Sequence, residues 1–294
     1  APATVKVGAL VSGGWRNEVT FVLTGTNIDA KADLAQSALW ATIPGGKEAF
    51  QHVTTRLLRA DRPDPATMTE AVALLTIAVT DPSREKVGAF PRAAIETGLA
   101  SYPGLYFTAP PTPGSEISVF WPTLMPASMF HQRVTLAGNI TDVPPAPTEP
   151  EVPPFEHITT GPAEPLPGPT VRLPMGTVLG TRSGDKAGNA TLGVWARDND
   201  AHRWLRSWWT EDAVRALIPE AADCHLRMWE LPHLRACGVT IVGLLGRGVA
   251  ANLDLDSQGK GLGEYVRAKH LDIPTVLLPA DGQMPDALVA TETV

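Results

Sequence analysis

Cysteine is scarce in this sequence, with only Cys224 and Cys237 among 294 residues. The two could form one disulfide, but nothing else points to an exported protein, so two free thiols in a reducing compartment are the simpler interpretation. No secretory hydrophobic segment opens the chain, and apolar runs such as residues 239–245 are far too short to span a bilayer. These absences predict a cytoplasmic protein that does not enter a membrane.

Basic charge is also limited. The chain has 24 Lys and Arg residues against 31 Asp and Glu residues, which gives a net charge of -7 at neutral pH. No run of five basic residues interrupts this balance. A negative surface repels phosphate backbones, so nucleic-acid binding is not expected as a main role.

Several common catalytic and cofactor-binding motifs are missing. The seven histidines form no HxH or HxxxH pair, which removes support for a zinc or di-iron site. The sequence has no GxSxG elbow, no P-loop and no GxGxxG after a strand, so a serine hydrolase, a P-loop nucleotide site and a Rossmann cofactor are not indicated. The sequence therefore predicts no metal and no required cofactor.

Proline, in contrast, is abundant in one place. Ten prolines fall between positions 144 and 169, a density that excludes helices and sheet ladders and favours extended chain. This segment is either a linker or a strap across a surface, with Phe155, Ile158 and Leu166 as possible anchors. The length of the chain allows two domains. The predicted organisation is an α/β portion at 1–138, a linker or strap at 139–169 and a second domain at 170–294.

Strands and helices alternate before the prolines. Asn27 or Asp29 can cap a first helix, and Pro91 suits the first turn of a second. Runs rich in β-branched residues indicate the strands. The predicted strands are 5–11, 19–23, 53–58, 76–79 and 118–121, and the predicted helices are 27–43 and 91–100.

The second portion has the pattern of a small sheet with helices on one face. Apolar residues recur at helical spacing from Trp204 to Leu217, which predicts one long helix. The continuous apolar run at 239–245 predicts a central strand. The predicted strands are 170–179, 190–196, 226–231, 239–245 and 275–278, and the predicted helices are 200–217 and 262–269.

The best candidate for chemistry is a polar segment predicted as a loop at 181–189. Glycines permit close backbone approach, so successive N–H groups can point at one anion. Arg182 can bind a phosphate or carboxylate through its guanidinium group, and Lys186 can add a point charge. The candidate ligand-binding residues in this loop are Arg182, Ser183, Gly184, Gly188 and Asn189.

Asp185 lies in the middle of this segment. Its carboxylate could hold one of the cations in place, ligate a metal through oxygen or act as a base. The alternative is a simple hairpin turn closed by a local salt bridge, because short glycine-rich polar segments are common turns.

Two further segments contain polar clusters. Residues 243–263 include Gly246-Arg247-Gly248 after the apolar strand, and Arg247 is a candidate ligand-binding residue, because ligands often bind at the carboxyl edge of a sheet. The sequence at 256–261 is explained more simply by a β-turn. Between the first two predicted strands, Arg16, Asn17 and Glu18 offer a donor, an amide and a carboxylate together, although a hairpin whose Trp15 covers the edge of the core is the favoured explanation.

These segments resemble the acyclic terpene utilisation (AtuA-like) family. Residues 182–189, followed by 192–197, look like the signature loop and strand of that family's C-terminal domain. The other stretches that resemble the family, in the same order along the chain, are 14–18, 31–32, 61–64, 100–104, 230–232, 246–248 and 256–260.

The resemblance implies a ferredoxin-like α+β sandwich after the linker, and hence an α+β fold with a mixed α/β N-terminal part. It also implies that the family's usual N-terminal region is absent, through cleavage, a split gene or truncation. A companion chain that supplies this region, or a homo-oligomer, would then be the partner. The implied substrate class is a branched or terpenoid-derived acyl-CoA thioester, with coenzyme A as the substrate carrier.

Two functions follow as hypotheses. In the first, the chain is part of an enzyme in which Asp185 is the base or the orienting carboxylate and Lys186 stabilises negative charge that develops on an oxygen. In the second, the chain is a non-catalytic subunit that stabilises a partner chain through its Trp-rich helix and its proline strap.

Overall fold

The computed structural model describes residues 2–144, 147 and 163–278. The chain divides into two compact units, of which one is Leu10–Val119 and the other combines Ala1–Ala9 with Phe120–Val294. Phe155 and Ile158 of the predicted strap lie outside the described residues. Residues 139–143, predicted as the start of the linker, instead form a strand.

The first unit is built on an antiparallel sheet with two helices. The sheet order is β2-β3-β1-β4, and β5 pairs with β1. The strands are β1 (Thr4–Thr24), β2 (His52–Arg59), β3 (Val72–Asp81), β4 (Tyr106–Phe107) and β5 (Ser115–Pro126), and the helices are α1 (Ile28–Thr42) and α2 (Arg84–Ala100).

The structure corrects the predicted pair of strands at 5–11 and 19–23. They form one continuous strand of 21 residues, so no hairpin lies between them. Gly14 has a positive φ of 96°, and a Cβ at that position would lie 2.9 Å from the carbonyl oxygen of Asp81. The glycines at 13–14 therefore allow close approach to β3 and do not turn the chain.

The two helices of this unit agree with the sequence in position but not in every boundary. α1 begins after Asn27 as predicted, although the Asn27 side chain makes no capping hydrogen bond. α2 begins at Arg84, seven residues before the predicted start, because the Ser83 hydroxyl accepts a hydrogen bond from the N–H of Lys86. Pro91 consequently lies inside the helix and not in its first turn.

The core of the first unit lies between the sheet and these helices. Phe21 and Leu75 are fully buried on the strands, and Leu39 and Phe90 are buried on the helices. Trp40, Phe50 and Phe90 form a cluster of rings with centroid separations of 6.1 to 6.3 Å. Contacts of this kind stabilise the packing of α1 and α2 on the sheet.

The second unit is an α+β sandwich with a four-stranded antiparallel sheet. The sheet order is β11-β12-β10-β9, so β12 is central as predicted. Two smaller antiparallel pairs, β13-β8 and β6-β7, complete its strands. The strands are β6 (Gln132–Leu136), β7 (Asn139–Val143), β8 (Thr170–Pro174), β9 (Leu179–Lys186), β10 (Asn189–Ala196), β11 (His225–Leu231), β12 (Ala236–Val242) and β13 (His270–Pro274). The helices are α3 (Asn199–Trp208), α4 (Glu211–Leu217) and α5 (Leu262–Arg267).

Three predictions for this unit are wrong in detail. The helix predicted at 200–217 is two helices, because the Thr210 hydroxyl accepts the N–H of Ala213 and starts a new one. The strand predicted at 170–179 is β8, a 3₁₀ turn and the first residue of β9. Residues 275–277 form a 3₁₀ turn after β13, not a strand.

The helices cover one face of the four-stranded sheet. Leu192 and Ile241 on the strands pack with Leu205 and Val214 on the helices, and all four are fully buried. Leu166, from the end of the proline-rich segment, also packs against this core. Within the described residues, no helix is both long enough and apolar enough to cross a membrane.

Candidate functional site

The predicted polar loop at 181–189 is a tight β-hairpin, so the loop prediction is wrong. Arg182 pairs with Gly193, and Lys186 pairs with Asn189 across the β9–β10 ladder. Only residues 187–188 form the turn, where Ala187 adopts a positive φ of 55°. Because the ladder engages strand N–H groups, few of them remain to converge on an anion.

The two candidate catalytic residues are neighbours in β9. Successive side chains of a strand point to opposite faces, so the Asp185 carboxylate and the Lys186 ammonium group do not converge on one reacting atom. The Lys186 ammonium group donates to the backbone oxygen of Asp185 at 3.1 Å. Among the described residues, the Asp185 carboxylate makes no ion pair with Arg182 or Lys186, so the alternative hairpin forms without the expected salt bridge.

The hairpin holds the second candidate segment in place. The side-chain oxygen of Asn189 accepts the N–H of Gly243 at 2.9 Å, and the carbonyl of Gly188 accepts the N–H of Leu245 at 2.9 Å. The backbones come so close that a Cβ on Gly188 would lie 2.1 Å from the carbonyl oxygen of Gly246. The structure thus brings together two candidate segments that are separate in the sequence. The contacts between them stabilise the fold.

The turn prediction for residues 256–261 agrees with the structure. The Asp256 carboxylate accepts backbone N–H groups from Lys260, Gly261 and Leu262 at 2.8 to 3.0 Å, directly before α5 begins. Arg247 lies exposed in the preceding turn, between glycines with positive φ.

The third candidate group lies in the other unit. Arg16, Asn17 and Glu18 are consecutive residues of β1 and pair with β3. Asn17 is buried, and its amide donates to the carbonyl of Thr112 at 3.0 Å while its oxygen accepts the N–H of Glu18 at 2.8 Å. Its polar atoms therefore fix the chain segment at Thr112, while Arg16 and Glu18 lie on the opposite face of the strand.

An apolar cavity of about 610 Å³ lies in the second unit and was not predicted. Ile218, Leu245 and Leu262 are buried hydrophobic residues of its lining, whereas Leu255 and Tyr265 are exposed on its wall. Its volume falls within the range of small-molecule sites. Little in the sequence indicates this cavity, because its lining comes from the turn after α4, the segment after β12 and α5.

A smaller cavity of about 260 Å³ borders β9, β10 and the end of α5. Arg197 and Arg267 supply two guanidinium groups to its lining, Trp195 supplies an indole, and Thr181 supplies a hydroxyl. None of the described residues that line it is acidic. The sequence resemblance included Trp195 and Arg197, but only the fold brings them close to Arg267.

A third cavity, of about 650 Å³, lies in the first unit. Asp33, Lys47 and Glu48 contribute charges of both signs, and Trp40 and Val53 contribute apolar surface. None of the predicted site residues lines it.

A half-buried polar cluster lies beneath α3. His202, Glu230 and Cys237 bring a nitrogen, an oxygen and a sulfur within 4.8 Å of one another. The Arg206 guanidinium group already holds the Glu230 carboxylate, with Nε 2.8 Å from Oε1. A metal cation here would face that positive charge at close range, so an internal ion pair describes the cluster better than a metal centre.

Burial controls the ionisation of this cluster. Desolvation lowers the pKa of His202, although the neighbouring Glu230 carboxylate opposes this shift. Desolvation, aided by Glu230, raises the pKa of the Cys237 thiol to about 12. Cys237 is therefore a neutral thiol and not an activated nucleophile at neutral pH.

Comparison with known families shows which family the chain belongs to. The family model described as acyclic terpene utilisation family protein AtuA matches residues 1–136, and the AtuA ferredoxin-like domain matches residues 173–272. The chain is an AtuA-like protein. The second match also confirms the ferredoxin-like fold expected for the C-terminal part. No curated protein and no solved structure gave a match.

Proposed function

We propose that this AtuA-like protein acts in the breakdown of acyclic terpenes and binds a branched, terpenoid-derived acyl group in the apolar cavity of its second unit. The family match supports a role in the breakdown of acyclic terpenes. The proposed substrate, a branched acyl group, rests on the cavity of about 610 Å³. Each methylene group that leaves water for such a cavity contributes about 0.8 kcal/mol. A branched hydrocarbon chain therefore gains binding energy here without any charged contact.

The acyl group would be carried as a coenzyme A thioester. The ionisable residues that line the cavity include the carboxylates Glu220, Asp254 and Asp256, and no basic residue lines it within the part of the chain that the structure describes. Carboxylates repel the phosphates of the carrier. The acyl chain would therefore enter the cavity, while the phosphates would lie outside it.

Calorimetric titration of the full chain with citronellyl-CoA tests this proposal. Leu255 is 72% exposed on the cavity wall, so Leu255→Asp should leave the fold intact and place a charge beside the acyl chain. We expect this variant to bind at least about tenfold more weakly, since burying a leucine side chain is worth about 1.5 to 3 kcal/mol. Leu234→Asp, exposed in the turn after β11, is the matched control. The proposal fails if the wild-type chain does not bind, or if both variants bind equally well.

A second candidate function is that of a non-catalytic interaction subunit, favoured by the β6–β7 hairpin. Every residue of both strands is exposed, and Val134, Leu136 and Val143, which share one face of the hairpin, are 52%, 76% and 37% exposed. An isolated two-stranded hairpin is marginally stable in water, and exposed apolar patches mark interaction sites.

The partner we propose for this hairpin is a second copy of the chain. Arg133 lies directly opposite Asp142 on the other face of the hairpin, so the two strands carry no net charge and a second copy, related by a two-fold axis, meets the same apolar face without charge repulsion. Light scattering should give a dimer for the wild-type chain and a monomer for Leu136→Glu, with Leu99→Glu on α2 as the control. A monomeric wild-type chain at high concentration excludes this function, and binding of a companion chain to the same hairpin would replace the second copy.

A further inference from the structure

The small cavity of about 260 Å³ between β9, β10 and α5 is chemically distinct from the apolar one. Its two charged lining residues, Arg197 and Arg267, are both cationic. No carboxylate is among the described lining residues. Glu264 pairs with Arg267 at 2.9 Å, so Arg197 supplies the positive charge of the cavity that no described carboxylate offsets. An anion is therefore the ligand that this cavity suits.

The hydrogen-bond donors of the cavity are largely unused. Within the described part of the chain, Arg197 makes no hydrogen bond or ion pair. Arg267 contacts both Glu264 oxygens through one terminal nitrogen, at 2.9 and 3.0 Å, while its buried Nε has no hydrogen-bond partner. The guanidinium groups thus keep donors for an incoming oxyanion.

Thr181 provides an independent indication of a ligand. The residue is only 9% exposed, lines the cavity and has a buried hydroxyl oxygen with no hydrogen-bond partner among the described residues. A buried polar group without a hydrogen-bond partner destabilises the folded chain. An oxyanion that accepts a hydrogen bond from this hydroxyl would remove that destabilisation.

Two glycines shape the cavity walls. A Cβ on Gly180 would lie 2.4 Å from the Trp195 ring, and a Cβ on Gly176 would lie 2.9 Å from Nε of Arg267. The indole therefore packs against the backbone at Gly180, and the guanidinium group packs against the backbone at Gly176. A larger residue at either position would displace the group that packs there. Trp195 remains exposed beside the cavity, where an indole can stack on a nucleobase.

We propose that this cavity, here called the arginine pocket, binds the phosphate of a nucleotide, with Arg197, Arg267 and Thr181 as donors and Trp195 as the stacking surface for the base. The identification of coenzyme A as the molecule that bears this nucleotide rests on the proposed function. The pocket would then hold the phosphates that the acidic lining of the apolar cavity repels.

Titration of the full chain with adenosine 3′,5′-bisphosphate, followed by tryptophan fluorescence and calorimetry, tests the arginine pocket. We expect Arg197→Ala to weaken binding at least about tenfold, because it removes a charge-assisted hydrogen bond to the phosphate. Thr181→Val should also weaken binding, and Thr181→Ser should restore it. Arg172→Ala, which removes an exposed arginine of β8, should bind as the wild-type chain does. Arg197 has no partner among the described residues, so its loss should leave the melting temperature unchanged.

Inorganic phosphate distinguishes the possible sources of the anion. Weaker binding of phosphate than of the nucleotide, with both reduced in Arg197→Ala, supports the proposal. Equal binding of the two excludes the stacking role of Trp195 and hence the nucleotide. Absence of binding at millimolar concentrations, or equal binding by Arg197→Ala and the wild-type chain, overturns the proposal.

A titration with citronellate, which lacks the carrier, separates this inference from the proposed function. In one outcome, the nucleotide binds with lower affinity to Arg197→Ala, while Leu255→Asp does not change the binding of citronellate or citronellyl-CoA. The proposed function then fails, and the arginine pocket is supported. If Leu255→Asp weakens both of these ligands while the nucleotide does not bind, only the arginine pocket fails.

Discussion

The hydroxyl oxygen of Ser183 accepts the backbone N–H of Gly263 at 2.8 Å. A residue of the β9–β10 hairpin therefore anchors the first turn of α5, the helix that borders the apolar cavity and the arginine pocket.

Ser183→Ala should destabilise the second unit, because it leaves the Gly263 N–H without its acceptor. The expected loss is about 1 to 2 kcal/mol in the free energy of unfolding. Urea denaturation measures it, with Ser37→Ala on the exposed face of α1 as the control. Equal stability of the two variants would show that the contact is not needed to hold α5.

Gly188→Ala should destabilise the chain more strongly. Its Cβ would lie 2.1 Å from the carbonyl oxygen of Gly246, so the turn after β12 must move, at an expected cost of about 1 to 3 kcal/mol. Gly88→Ala in α2 is the matched control, because its Cβ meets nothing within 4 Å and should stabilise the helix by about 0.5 to 1 kcal/mol. The melting temperature should fall in Gly188→Ala and rise in Gly88→Ala. An unchanged melting temperature in Gly188→Ala would contradict the observed packing.

His202 should make the stability depend on pH. Desolvation lowers its pKa in the folded chain, so the unfolded chain binds the proton more readily. Its stabilising effect is complete above the unfolded pKa, about 6.5, and is lost as the pH falls through the folded pKa. Unfolding free energies measured between pH 5 and 8 should decline less steeply with acid in His202→Gln than in the wild-type chain, and identical slopes would refute this assignment.

Cys237 should resist thiol reagents in the folded chain. It is buried on β12, and its pKa is raised to about 12, so little thiolate forms at neutral pH. Mass spectrometry after brief iodoacetamide treatment should find Cys237 unmodified until denaturant is added. Rapid labelling of Cys237 under native conditions would show that local opening of the folded chain exposes this part of β12.

The sequence predicted the regular elements well where local chemistry determines them. The β-branched run at the end of β3 and the apolar run of β12 both form strands. Predictions failed where a single contact decides the outcome. Gly14 continues β1 only because β3 lies beside it, and Thr210 interrupts the apolar periodicity that predicted one helix.

The candidate site was only partly accessible from the sequence. The polar residues from 181 to 189 do belong to one feature, but their hydrogen bonds mainly close a hairpin and hold residues 243–263. Two of the cavities combine residues that are far apart in the chain. The arginine pocket combines Thr181 with Arg267, and the apolar cavity combines Ile218 with Leu255. Only tertiary packing brings such residues together, and no local pattern encodes their proximity.

A crystal structure of the chain with citronellyl-CoA would test the central proposal most directly. We predict that the branched acyl chain lies in the apolar cavity, in contact with Leu245 and Leu262, and covers Leu255. Electron density for the acyl chain elsewhere on the protein, or an unchanged cavity at saturating ligand, would contradict the assignment.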